Sequence, residues 1–114
     1  MLNCSISKER DVSVIYLDGE LDATASDELS KVLTNCVSEG VYQIVLDMAN
    51  VRYLSSNGLR PLLEWLEATR NITGKRKLAL CNLHEFAKKV FSITEFDRKF
   101  PIYDTIDMAL GSFR

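Results

Sequence analysis

Tyr53-Leu54-Ser55-Ser56-Asn57-Gly58-Leu59 carries two adjacent hydroxyls, an amide and a glycine between an apolar strand-like run and an apolar helix-like run. Pro61 fixes where that helix can start. Proline has no N–H and its ring clashes with the carbonyl four residues back, so it is tolerated only in a first turn. The helix must therefore begin close to Asn57 or Gly58, which puts both hydroxyls at its entrance. Two roles compete there. In one, Ser55, Ser56 or Asn57 accepts a hydrogen bond from an orphan N–H of the first turn, worth about 1 kcal/mol, and Gly58 serves a tight turn. In the other, a seryl hydroxyl is a phosphorylation site. First-turn N–H groups and the positive end of the helix dipole favour an anion, and a phosphate changes the face seen by a partner by about −1.5 to −2 charges.

Other chemistry is sparse. His84, flanked by Asn82 and Glu85, is the one histidine, and at a strand-to-helix corner it reads as a capping or surface residue. An enzyme using Ser55 or Ser56 as nucleophile needs an adjacent base, and His84 is the sole imidazole on offer. The chain has no G-x-S-x-G elbow, no G-x-x-x-x-G-K-[ST] phosphate loop and no G-x-G-x-x-G fingerprint. Cys4, Cys36 and Cys81 are odd in number and lack C-x-x-C spacing, which argues for buried thiols rather than a disulfide framework or a zinc site. The expectation is a protein that is not an enzyme and holds no cofactor and no metal.

The elements that must position the corner follow from periodicity. At 114 residues, 46% hydrophobic and 26% charged, the chain reads as a single globular domain over residues 1–114. Val12 to Leu17, rich in β-branched and aromatic residues, and the weaker Leu2 to Lys8 predict a hairpin turning at Glu9-Arg10-Asp11. Thr24 to Ser38 places Ala25, Leu29, Val32, Leu33, Cys36 and Val37 at helical spacing, with Gly40 as its stop. Val41 to Met48 reads as a covered strand around Ile44-Val45-Leu46. Leu59, Leu62, Leu63 and Leu66 form the apolar stripe of the next helix, and Trp65 beside it either completes the core or stands partly exposed as a contact anchor, the core being favoured. Lys77 to Cys81 is a further strand, followed by a short helix whose inner face is Leu83, Phe86, Ala87, Val90 and Phe91. Phe100 to Tyr103 reads as an edge strand because of its proline, and Asp104 can cap a last helix from Thr105 to Gly111. The order ββαβαβαβα implies an α/β fold with a mostly covered sheet.

Net charge is −2, with nine acidic and three basic residues up to Asn50 and seven acidic and eleven basic after it. That balance gives no electrostatic case for a nucleic acid or an anionic membrane and favours a protein or small-molecule partner. No window approaches the ~18–20 apolar residues that span a bilayer. Met1 to Ser5 shows no basic stretch leading into an apolar run. A cytoplasmic location is expected.

Four pieces in order resemble the STAS domain, the family of bacterial anti-sigma factor antagonists: Gly19-Glu20-Leu21-Asp22 before a helix near Ala25; Val45 to Val51 leading to Tyr53 through Leu59; Lys77 to Asn82; and Ile102 to Leu110. The resemblance covers nearly the whole chain. It implies a mixed β-sheet of four to five strands with helices packed mainly on one face. It also implies a protein partner, an anti-sigma factor with serine kinase activity, that is bound in the unphosphorylated state and released on phosphorylation. The family's corner commonly reads D-S-x-G-L, which makes Ser56 the acceptor and Ser55 the second choice. Asp22, Thr24, Ser55, Ser56, Asn57, Gly58 and Leu59 then form the partner-facing set. Ser55 stands where the family usually has aspartate. An alternative is therefore a STAS module that uses this face without phosphorylation, in another signalling or lipid-transport complex. Asp22 also keeps a plainer reading as a cap or turn residue.

Overall fold

A computed structural model describes residues 1–114. Strands β1 (Leu2–Glu9) and β2 (Val12–Leu21) form the expected hairpin, closed by the pair Glu9 and Val12 around Arg10, whose φ of 62° supplies the turn. Strand β3 (Gln43–Leu54) lies parallel to β2, β4 (Lys77–Cys81) parallel to β3, and β5 (Ile102–Tyr103) parallel to β4, in the spatial order β1-β2-β3-β4-β5. Each parallel neighbour needs a crossover. Helices α1 (Ser26–Ser38), α2 (Arg60–Thr69) and α3 (Glu85–Ile93) provide these, and α4 (Ile106–Gly111) closes the chain order.

The two faces of the sheet are covered unequally. Ile15, Leu17, Ile44, Leu46, Met48, Leu78 and Leu80 meet Leu29 and Leu33 of α1, Leu62 and Trp65 of α2, and Ala87 and Phe91 of α3 in the main core. Val12, Val14, Val45 and Cys81, on the other face, pack with Ala109 of α4 in a smaller cluster. The unbroken apolar runs Ile44-Val45-Leu46 and Leu78-Ala79-Leu80-Cys81 are thereby explained: both strands are buried on both sides. The fold is the expected α/β arrangement, a mixed sheet of five strands with most helices on one face.

Several local expectations are corrected. Leu63 is 40% exposed: α2 turns Pro61, Leu62, Trp65 and Thr69 inward, so the next residue round from Leu62 faces outward. Phe86 is 53% exposed, because α3 buries Ala87 and Phe91, and its ring lies instead against Tyr53. Helix α1 begins at Ser26 rather than Thr24, and β3 continues past Met48 to Leu54. The cap of α4 is Thr105, whose Oγ1 accepts from the Met108 N–H at 3.1 Å, and Asp104 is one residue too early. Cys36 and Cys81 are buried free thiols, while Cys4 is only partly buried. Gly40 does stop α1: the Val41 N–H bonds back to the Cys36 carbonyl and the Gly40 N–H to that of Val37, satisfying the last open turn.

Candidate functional site

The corner forms where β2 and β3 end side by side, since Leu21 is paired with Leu54 at their carboxyl ends. The Ser55 N–H donates to the Leu21 carbonyl at 3.1 Å, tying the two exits together one residue beyond the sheet. Gly58 then packs against the same place. A Cβ there would overlap the Leu21 carbonyl oxygen and lie 2.6 Å from its carbon and 3.1 Å from the Asp22 nitrogen. The glycine is required by this approach of two backbones, whereas the sequence pointed only to a tight turn.

Ser55 has extended backbone, with φ −123° and ψ 162°, and its Oγ accepts from the Gly58 N–H at 3.3 Å. It is the N-cap of a 3-10 turn, Ser56–Leu59, that leads directly into α2. Of the three candidate caps, Ser55 takes the role. Ser56 is exposed, and its hydroxyl makes no hydrogen bond within the chain. Asn57 is exposed beside it, and Gly58 and Leu59 are buried, Leu59 completely. Leu59 thus anchors the turn in the core and leaves Ser56 and Asn57 as the surface the corner offers.

The Asp22 side of the site is equally ordered. Its Oδ1 accepts from the Thr24 hydroxyl at 2.7 Å and from the Ala25 N–H at 2.9 Å, bracing the chain just before α1. Those two bonds, the hydroxyl's foremost, hold the carboxyl below its ordinary range. Ser26, buried at the first turn of α1, donates to the Ala23 carbonyl at 3.0 Å and accepts from Arg60 at 3.3 Å. Arg60 also lies 3.7 Å from Glu64, which in turn accepts from the Ser30 hydroxyl at 2.7 Å. The entrances of α1 and α2 are joined by this chain of contacts, and a guanidinium stands one turn after Ser56. The geometry therefore unites Asp22, Thr24, Ser55, Ser56 and Asn57 at one pole of the sheet, with Gly58 and Leu59 as their support.

The His84 Nε2 is 2.7 Å from the Ala49 carbonyl, a contact between the start of α3 and β3. No three His, Cys, Asp or Glu side chains gather in a metal-holding group, and no helix is long and apolar enough to cross a membrane. One neighbour escaped the sequence reading. Tyr53 and Phe86, 48% and 53% exposed, stack with ring centroids 5.9 Å apart, two residues before the cap. Helical periodicity assigned Phe86 to the core, and only the register of α3 on the sheet reveals otherwise.

Comparison with known proteins agrees with this architecture. BtrV of Bordetella bronchiseptica, named as an anti-sigma factor antagonist, is 30% identical over 101 residues, 89% of this chain and 85% of that protein. The crystal structure of an anti-sigma factor antagonist from Mycobacterium paratuberculosis matches with a TM-score of 0.86 at 23% identity, covering 98% of this chain and 93% of that one. The Bacillus cell fate determinant SpoIIAA, in its phosphorylated form, matches with a TM-score of 0.72 at 20% identity, over 98% of this chain and 100% of that one. The STAS domain family model matches residues 3–109. With the serine corner and all but the ends of β1 and α4 inside that match, the chain belongs to the STAS domain family.

Proposed function

We propose that the protein is a phospho-switched anti-sigma factor antagonist. Unphosphorylated, it binds an anti-sigma factor with serine kinase activity through the pole formed by Asp22, Thr24, Ser56 and Asn57. Transfer of a phosphoryl group from the kinase's ATP to the Ser56 Oγ, with loss of the hydroxyl proton and release of ADP, then ends the complex. The observation that carries this reading is the exposed, unengaged hydroxyl of Ser56 next to a cap already supplied by Ser55. Because Ser55 does the structural work, Ser56 is free to change its chemistry without opening the helix entrance. A dianion there lies beside N–H groups of the first turn and one turn before Arg60, so the fold tolerates it, while a partner fitted to a neutral hydroxyl does not. The likeness to SpoIIAA, a protein known in a phosphorylated form, supports the reading at the level of fold. Binding to and release of such a partner would take place in the cytoplasm.

Ser55 in place of the family's aspartate favours a second reading, a STAS module that binds its partner by the same pole without phosphorylation. Incubation with ATP and the serine-kinase anti-sigma factor of the same genome separates them. Phosphate on Ser56, abolished by Ser56→Ala, supports the switch. A stable complex that accepts no phosphate, or accepts it on Ser55, overturns the assignment of Ser56.

A further inference from the structure

We propose that β1 is the seam of a symmetric homodimer, in which two copies pair their first strands antiparallel about a two-fold axis at Ile6. Strand β1 is at the edge of the sheet, eight residues long, free of proline and hydrogen-bonded only to β2. Such an edge is a template for another strand. Its register shows which residues are open. Glu9 and Val12 close a two-residue turn and so form a hydrogen-bonded pair, and by alternation the outward main-chain groups are those of Leu2, Cys4, Ile6 and Lys8.

A two-fold axis at Ile6 sets Ile6 opposite its own copy and Cys4 opposite Lys8 of the second copy. The outward groups of Cys4, Ile6 and Lys8 then meet one another, for about six new main-chain hydrogen bonds, and Leu2 is left facing the turn at Arg10. The side chains fit as well. Ile6 is 51% exposed although its cross-strand neighbour Ile15 is fully buried, so the axis covers an apolar residue that α1 leaves bare. Glu28 of α1 borders the same hollow as Leu2 and Asn3, and after burial its charge is what raises the Cys4 thiol. At the other end of the strand, Lys8 partly offsets the burial and the Glu39 charge that raise the Cys36 thiol. Neither Lys8 nor Glu28 has an ion-pair partner within the chain. Antiparallel pairing carries each Lys8 to the Cys4 and Glu28 end of the other copy, giving two symmetry-related ion pairs on either side of the Ile6 contact. A second copy of this chain thus satisfies the edge, the isoleucine and both charges together, and the serine corner takes no part.

An edge of this length makes a small interface, so the dimer is reversible, and sedimentation equilibrium up to about 1 mM protein reads it. The expected result is a monomer–dimer equilibrium weakened about tenfold or more by Ile6→Lys, and likewise by Lys8→Glu or Glu28→Lys alone. The double exchange of Lys8→Glu with Glu28→Lys restores it. These side chains are outside the core, and a thermal melt of each variant checks the fold. A wild type that stays monomeric over the range, a dimer insensitive to Ile6→Lys, or a double exchange that fails to restore association overturns the proposal.

Discussion

The Leu21 carbonyl occupies the space that a side chain at Gly58 would enter. This close approach joins the exit of β2 to the entrance of α2, and it is what brings Asp22 and Ser56 to one pole. Gly58→Ala forces the backbones apart, because the obstructing atoms are main chain and no flexible side chain can yield. Overpacking of this kind costs about 1–3 kcal/mol. Urea unfolding should show that loss, and an unchanged midpoint would mean the two loops are held less tightly than described.

The two serines should separate cleanly in stability. Ser55→Ala removes the side-chain acceptor of the Gly58 N–H and leaves its 3.0 Å bond to the Ser55 carbonyl, so the expected loss is at the lower end of about 0.5–2 kcal/mol. Ser56→Ala touches no hydrogen bond within the chain and should remain within about 0.5 kcal/mol of the wild type. Equal effects in denaturant titrations would contradict the division of labour between cap and acceptor.

Much of the fold was legible in the sequence because β3 and β4 carry the unbroken apolar runs Ile44-Val45-Leu46 and Leu78-Ala79-Leu80-Cys81, Pro61 pins a helix start and Gly40 a helix end. The serine corner was legible for the same reason, as a polar island between two apolar runs. Phase around a helix was not. Leu63 and Leu66 fit the apolar period as well as Leu62 does, yet the 3-10 turn entering α2 and the position of Trp65 against the sheet decide which side faces in. Nor could the sequence say which of three polar residues caps the turn, since Ser55, Ser56 and Asn57 are all suitable and only the extended backbone of Ser55 chooses among them.

That correction gives a paired test. Leu62 is fully buried and Leu62→Ala should cost about 2–5 kcal/mol, whereas Leu63→Ala, at an exposed position, should cost less than about 1 kcal/mol. Thermal melts of both variants suffice, and a large loss at Leu63 would place α2 in a different rotation.

Asp22 sets a pH signature. Its carboxyl is held below the ordinary 3.8 by bonds from Thr24 and the Ala25 N–H, so folding favours its ionised form. The stability contributed is fully present above the unfolded value and is lost as pH falls through the lower folded value. Asp22→Asn should therefore lower the urea midpoint at neutral pH and narrow its gap from the wild type as the solution is acidified below about 3.8. A gap that is constant with pH would show that the carboxylate charge is not what the turn uses.

Ser56→Asp tests the switch at its physical centre. The carboxylate enters at the first residue of the 3-10 turn, where negative charge is favoured, and it displaces no buried atom because Ser56 is exposed. Thermal stability should accordingly hold. Affinity for the kinase partner, read by isothermal titration calorimetry, should fall by tenfold or more, about 1.4 kcal/mol, since a charge now faces a surface fitted to a hydroxyl. A full phosphate carries more charge and should weaken the complex further than aspartate does. Unchanged affinity with an unchanged melt would remove Ser56 from the contact surface and leave the pole as a binding face without a switch.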